Sequence, residues 1–260
     1  MQTLGPLIAL VKFRYHVTFL NVIFGALIFA PRTMPSLFLR LAALYICFNV
    51  LLYGGIYTLN DLADRQSDRC HPRKRLRPIA SGAISPDAAL AFGLGLIALG
   101  FTAASLMFSW SVVLCFGAVT VINAAYSAGG RNVPYLDLVL NAAPHAIRFF
   151  MGALLVERVP RPAHLIAIML LAVGLSCLRR HVEKDTAEGS EARSTLRRYE
   201  RTQLEGLGLA SLALLAMVCL SSARVAPGFT AIVLTAGVIL ICGGHRVRMV
   251  REPLRAVWTR

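Results

Sequence analysis

Long apolar runs separated by short polar segments dominate the chain. Eight runs approach the ~20 residues a helix needs to cross ~30 Å of hydrocarbon. They lie at roughly 15–31, 37–59, 88–108, 110–128, 136–156, 162–178, 206–222 and 228–244. None alternates with the two-residue period of a barrel strand, and unpaired backbone is too costly in lipid, so the runs read as helices. The pattern predicts an all-α, polytopic membrane bundle of eight transmembrane helices. Short connections make 88–108/110–128 and 136–156/162–178 antiparallel hairpins. No repeat, low-complexity tract or separate soluble domain is visible. Residues 1–260 therefore read as one domain, whose longest polar segments are about 60–87 and 179–205.

Charge sharpens this picture. The 260 residues carry 27 Lys+Arg against 13 Asp+Glu, a formal charge of +14, with 57% hydrophobic and 15% charged positions. A typical soluble domain is about 25% charged. Such hydrophobicity excludes a disordered chain. Basic residues that punctuate apolar spans do not coat a soluble core, so no nucleic-acid partner is expected. The N-terminus, 60–87, 129–135, 179–205 and the C-terminal tail hold 21 Lys/Arg, and the opposite loops hold only Arg32, Arg158, Arg161 and Arg224. The positive-inside rule then places both termini and both long loops on the cytoplasmic face of a cell (inner or plasma) membrane. The N-terminus lacks the small-residue site of a cleavable signal. Five of the six cysteines stand alone in apolar stretches and Cys70 lies in a polar loop, without metal-ligand spacing.

The second span runs into Tyr57, Asn60, Asp61, Asp64 and Asp68. If the helix continues, Tyr57 and the three aspartates share one face. Three carboxylates on one face repel one another unless a cation sits among them. Hard oxygens with room for water suit Mg²⁺, which takes one or two carboxylates plus substrate phosphates. The alternative is a solvated acidic helix end paired with Arg65 and Arg69. The next segment packs Arg73, Lys74, Arg75 and Arg77 into five residues. Alone, that loop also suits an anionic membrane surface. Side by side, the two segments form the arrangement a diphosphate needs: a metal bridging its oxygens, and Lys74, Arg75 and Arg77 neutralising the rest.

The joint pattern, Asn60, Asp61, Asp64 and Asp68 followed by His71, Pro72, Lys74, Arg77, Pro78, Ile79 and Gly82, resembles the UbiA superfamily of membrane transferases. The resemblance implies a helical bundle, usually of nine spans, around a central cavity. A ninth helix in this chain would have to come from the tail, Arg246–Arg260. It also implies Mg²⁺-dependent loss of diphosphate from an activated donor. A second aspartate-rich motif is missing. In its place stand Arg179, Arg180 and Glu183, then Arg193, Leu196 and Tyr199, which look more like the polyprenyl-phosphate phosphoribosyltransferase branch. Arg14 and Asn21, Tyr126 with Ser127, Arg131, and the spacing of Asp137 and Arg148 also resemble that branch. Arg131, Arg179 and Leu20 stand where that branch leads one to expect lysines.

The fifth span adds physical support. Asp137, Asn141 and Arg148 fall within about 40° of one another on a helix. Arg148 lies about 16 Å along from Asp137, near mid-bilayer, where it needs a polar cavity or a partner. The alternative is an interhelical ion pair. These residues give a candidate site of Asp61, Asp64, Asp68 and Asp137 as catalytic groups, the first three as Mg²⁺ ligands. Arg14, Asn21, Tyr57, Asn60, Lys74, Arg75, Arg77, Tyr126, Arg131, Asn141, Arg148, Arg179, Arg180 and Glu183 would bind substrate. The expected partners are a diphosphate donor, a lipid-linked polyprenyl substrate and membrane lipids. The favoured reaction is phosphoribosyl transfer from phosphoribosyl diphosphate to a polyprenyl phosphate. The alternatives are prenyl transfer from a polyprenyl diphosphate to an aromatic or quinone-precursor acceptor, and anion transport.

Overall fold

The computed structural model describes residues 4–30, 35–184, 194–222, 226–246 and 250–254. Arg193 and much of the basic tail lie outside them. Among the described residues there is no strand. Seven helical segments are long and apolar enough to cross a membrane: Gly5–Phe29, Pro35–Arg69, Pro86–Met107, Trp110–Ser127, Leu136–Leu155, Pro162–Lys184 and Arg201–Ser221. An eighth, Pro227–Cys242, is apolar but shorter.

Several boundaries differ from the sequence expectation, and at the second, sixth and seventh spans the reason is the same: charged residues continue a helix that hydropathy would end. The first span begins near Gly5 rather than at 15. It is built as helix Leu4–Leu10, a break at Lys12, a 3₁₀ turn over Phe13–Phe19 and helix Leu20–Phe29. The sixth span runs on to Lys184 and the second to Arg69. At ~1.5 Å per residue, the 35 residues of the second span reach ~50 Å, far more than ~30 Å of hydrocarbon. Its polar end, Asn60–Arg69, is therefore the part that projects. This span passes through a π-helical stretch, Tyr45–Leu52, before the helix Tyr53–Arg69 that carries the aspartates.

The fifth span is the hub, packed against the first, fourth and sixth, and the sixth packs in turn on the seventh. Lipid tails are as apolar as leucine, so close backbone contact rather than hydrophobic segregation holds such helices together. Gly25 and Gly152 make that contact. A Cβ on Gly25 would lie 2.0 Å from the Phe149 carbonyl oxygen, and one on Gly152 would lie 1.9 Å from the Val22 carbonyl oxygen. Gly152→Leu is therefore expected to abolish folding, read as loss of the monodisperse, thermally cooperative species in detergent. Gly95→Ala, where the added carbon meets nothing within 4 Å, is the control expected to fold normally.

Polarity is inverted relative to a soluble protein. Phe38, Leu106 and Trp110 are exposed, whereas Asp61, Asp137, Arg148 and Arg180 are buried. Buried charge among apolar helices persists only around a polar interior.

Candidate active site

The aspartate face is internal, not a solvated helix end. Asp61 and Asp68 are each 3% exposed. Three cations from three separate segments converge on the carboxylates. Asp61 Oδ1 accepts from Lys12 Nζ at 2.7 Å and from Arg77 Nη1 at 2.8 Å. Arg77 Nη1 also reaches Asp68 Oδ2 at 2.7 Å. Arg131 grips Asp64 with both terminal nitrogens, at 2.9 and 2.7 Å. The local alternative fails on geometry: Arg65 and Arg69 donate to the backbone carbonyls of Leu62 and Ala80.

The basic loop is shaped by its own sequence. His71 Nδ1 accepts from the backbone N–H groups of Arg73 and Lys74, organising the 3₁₀ turn Lys74–Leu76 that swings Arg77 back onto the helix. Of the three expected clamp residues, Arg77 pairs directly with the carboxylates, Lys74 is half-buried and within electrostatic reach of Asp64, and Arg75 is exposed. Asn60 Oδ1 accepts from Ser127 Oγ at 2.8 Å, tying the second span to the end of the fourth.

A second charged cluster joins the fifth and sixth spans. Arg180 Nε donates to Asp137 Oδ2 at 2.8 Å and its Nη1 to Glu183 Oε2 at 2.6 Å, while Arg179 Nε donates to Glu183 Oε1 at 2.8 Å. The other oxygen of Asp137 accepts from the Tyr199 hydroxyl. Tyr199 Oη in turn accepts from the backbone N–H of Tyr135, a residue at φ 66°, and Lys184 Nζ donates to the Tyr199 carbonyl. Thr195 Oγ1 donates to the Arg131 carbonyl at 2.9 Å. The segment after the second long loop thus fastens both the Asp137 cluster and the arginine that holds Asp64.

Burial, and then the Asp137 carboxylate, push the Tyr199 phenol above its ordinary value, so it stays protonated and donating. Its contribution to stability is complete below an ordinary phenol pKa of about 10 and is lost as pH rises from there through the higher pKa of the folded state. Tyr199→Phe is expected to lower stability by ~1–3 kcal/mol, measured by thermal unfolding at pH 7, by leaving Asp137 one donor short.

Between the clusters lies the hydrocarbon-depth interior. Arg148 is buried, with its guanidinium 4.6 Å from the Tyr53 ring centroid and 5.7 Å from that of Phe48. No carboxylate among the described residues pairs with it, and its Nε has no hydrogen-bond partner. The interhelical ion pair of the fifth span is made by Asp137, not by Arg148. Tyr57 stacks obliquely on Tyr53 and Tyr15 and lies within electrostatic reach of Arg148 and Arg179. Asn21 Nδ2 lies 3.0 Å from His145 Nδ1, and Asn141 Nδ2 donates to Ser176 Oγ. Tyr126 is in electrostatic reach of Arg131 and Arg180, which places it between the clusters. Arg14 is exposed, its guanidinium over the Tyr15 ring.

A separate groove of about 390 Å³, lined by Leu114, Ala118, Ile147, Phe150 and Leu165 among others, is almost wholly apolar and holds none of the candidate residues. Its walls suit hydrocarbon, not phosphate.

Lys12 is the site residue that sequence reasoning missed. Read with a first span starting at 15, it fell in a loop; the structure puts it in the wall. Thr195 and His145 were missed as well, since neither carries a spacing signal of its own. Among the described residues no three His, Cys, Asp or Glu side chains already converge as a metal cage. The chemistry of the donor set, carboxylates on one helical face with cations around them, nonetheless fits an ion that completes its shell from substrate oxygens and water.

Comparison with known proteins agrees with this architecture. The chain is 33% identical over 190 residues to nodulation protein NoeC of Azorhizobium caulinodans, covering 69% of this chain and 54% of that one. It is 28% identical over 161 residues to decaprenyl-phosphate phosphoribosyltransferase of Mycolicibacterium smegmatis, covering 59% of this chain and 49% of that one. The match thus spans about half the length of these curated relatives. The fold matches a UbiA homologue from Archaeoglobus fulgidus, solved bound to GPP and Mg²⁺, with TM-score 0.75 at 16% identity, over 98% of this chain and 95% of that one. Residues 19–258 match the UbiA prenyltransferase family, which covers most of the bundle and both charged clusters apart from Lys12. The chain belongs to the UbiA prenyltransferase family and is an integral membrane protein.

Proposed function

We propose that the chain is a membrane transferase that moves a phosphoribosyl group from phosphoribosyl diphosphate to a polyprenyl phosphate. The observation that carries this reading is Arg148. A buried guanidinium at hydrocarbon depth, with an unpartnered Nε and no carboxylate partner among the described residues, calls for an anion, and a phosphorylated lipid acceptor supplies one. A relative named decaprenyl-phosphate phosphoribosyltransferase supports the same assignment.

In this reading the C1–O bond to diphosphate breaks with its electron pair leaving on the diphosphate, and an acceptor phosphate oxygen forms the new bond to C1. The acceptor is already an anion, so no base has to remove a proton from it. Asp61 and Asp64 would hold Mg²⁺, with Asp68 beside them. When bound, the ion would neutralise the charge of the departing diphosphate. Arg77 holds Asp61 and Asp68 in place and Arg131 holds Asp64, and both, with Lys74 and Arg75, would balance the charge of the leaving group. Tyr57, Asn21 and Asn141 would contact substrate between the two clusters. Arg148 and Arg179 bind the acceptor phosphate. Arg180 and Glu183 fix Arg179, and Asp137, with both oxygens engaged, positions Arg180. Tyr126, between the clusters, would touch substrate from both sides, and Arg14 would add a cation at the surface.

The Lys/Arg asymmetry of the loops supports a cytoplasmic placement of this end of the bundle in a cell membrane. Prenyl transfer from a polyprenyl diphosphate is the second reading. The aromatic wall of Tyr15, Tyr53, Tyr57 and Phe48 favours it, as does the GPP in the Archaeoglobus homologue. The two are separated by incubating the reconstituted chain with Mg²⁺ and either labelled phosphoribosyl diphosphate plus decaprenyl phosphate, or labelled geranyl diphosphate plus 4-hydroxybenzoate. Label in the lipid-phosphate product is expected. Label in the aromatic product alone overturns the phosphoribosyl assignment.

A further inference from the structure

Lys12 occupies a conformation that lysine avoids. At the break between helix Leu4–Leu10 and the turn Phe13–Phe19 its backbone is left-handed, at φ 55° and ψ 53°. Glycine enters this region freely, whereas an L side chain is strained there. Strain of this kind is kept where the side chain is needed. The Lys12 side chain crosses to the second span, 15% exposed, with Nζ 2.7 Å from Asp61 Oδ1 and 5.5 Å from the Tyr57 ring centroid.

Holding Asp61 does not require it. Arg77 Nη1 already donates to the same Asp61 oxygen at 2.8 Å, and pairs with Asp68 too. One carboxylate oxygen thus has two cations, and the second sits at a strained turn. The ammonium is an anion ligand in reserve: any ion that takes the Asp61 oxygen leaves Lys12 facing whatever oxygens that ion brings with it.

We propose that Lys12 binds the diphosphate leaving group of the donor, contributing a charge-assisted hydrogen bond to a phosphate oxygen from the break in the first span. The proposal rests on the reading of the Asp61 face as a diphosphate site. A phosphate oxygen reaches this chain from two sources, the donor diphosphate and the acceptor monophosphate, and the direct pairing of Lys12 with Asp61 assigns it to the donor.

The test uses the full chain in lipid nanodiscs, titrated calorimetrically with Mg²⁺-pyrophosphate and, separately, with farnesyl phosphate. Lys12→Gly relieves the backbone strain and leaves Asp61 paired with Arg77. It is expected to melt at or above the wild-type temperature while binding Mg²⁺-pyrophosphate roughly tenfold to a hundredfold more weakly, with farnesyl phosphate affinity unchanged. Lys12→Arg is expected to keep most of the pyrophosphate affinity. If wild type binds Mg²⁺-pyrophosphate and Lys12→Gly binds it equally well, Lys12 is a turn residue and the proposal falls while the diphosphate site stands. A loss confined to farnesyl phosphate transfers Lys12 to the acceptor and overturns the assignment. A lower melting temperature with both ligands lost makes it a structural counterion, which also overturns the proposal. No Mg²⁺-pyrophosphate binding by the wild type overturns the proposal together with the reading beneath it.

Discussion

Asp61→Asn is expected to lower transfer turnover at least a hundredfold, ~2.7 kcal/mol of lost transition-state stabilisation. Asn keeps the size of the side chain and removes the charge that draws a divalent ion and balances Lys12. The loss should appear with any diphosphate donor, because it acts on the leaving group. Folding is touched less. Arg77 retains Asp68, so the variant strands the Lys12 ammonium rather than a whole network, a loss of ~1–3 kcal/mol. Asp64→Asn provides the contrast. Its partner Arg131 is 38% exposed and Asp64 itself 26%, so stability should fall by under ~1 kcal/mol while turnover falls as far as for Asp61. The measurement is product formation from labelled donor in nanodiscs, paired with a melting curve for each variant. Wild-type turnover in Asp61→Asn would end the metal-site assignment. Turnover losses that merely tracked melting temperature would reduce both aspartates to structural ion pairs.

The bundle was legible because membrane helices announce themselves through local hydropathy, and so was the shared face of Asp61, Asp64 and Asp68, since helical spacing alone fixes it. What surrounds that face was not legible, because it is assembled from afar. Arg131 reaches Asp64 across 67 positions, and Lys12 reaches Asp61 across 49. No periodicity encodes such pairs. The nearest candidates by sequence, Arg65 and Arg69, turned out to serve backbone carbonyls instead. Asp137 and Arg148 illustrate the same limit on one helix. Their spacing puts them on one stripe of the fifth span, but the partner of Asp137 is Arg180 of the sixth, and no carboxylate among the described residues pairs with Arg148. Charged residues near helix ends misled boundary placement for a related reason. Hydropathy ends a span at the first charge, whereas the helix continues wherever that charge finds a buried partner, as Asp61 and Arg180 do.

Arg148, which has no carboxylate partner among the described residues, yields the second large effect. Arg148→Leu is expected to raise the melting temperature and abolish transfer to a phosphorylated lipid. An arginine at a helix centre costs roughly 2.5–3.5 kcal/mol on insertion scales. An unpartnered buried donor adds ~1–3 kcal/mol. Stacking on Tyr53 returns part of this, about 2 kcal/mol when desolvated. Leucine removes the charge and the orphaned Nε and keeps much of the packing volume, so insertion and folding should be at least as good as in the wild type. Function moves the other way, because the acceptor phosphate loses its counter-ion at hydrocarbon depth. Binding of farnesyl phosphate should fall at least tenfold while Mg²⁺-pyrophosphate binding is unchanged. A neutral aromatic acceptor has no charge for Arg148 to meet, so prenyl transfer would survive the substitution. An Arg148→Leu chain that is more stable and still fully active on the lipid phosphate would strip Arg148 of any role in acceptor recognition. A chain that is less stable would mean the guanidinium holds the helices together, and stacking on Tyr53 would then outweigh the cost of burying it.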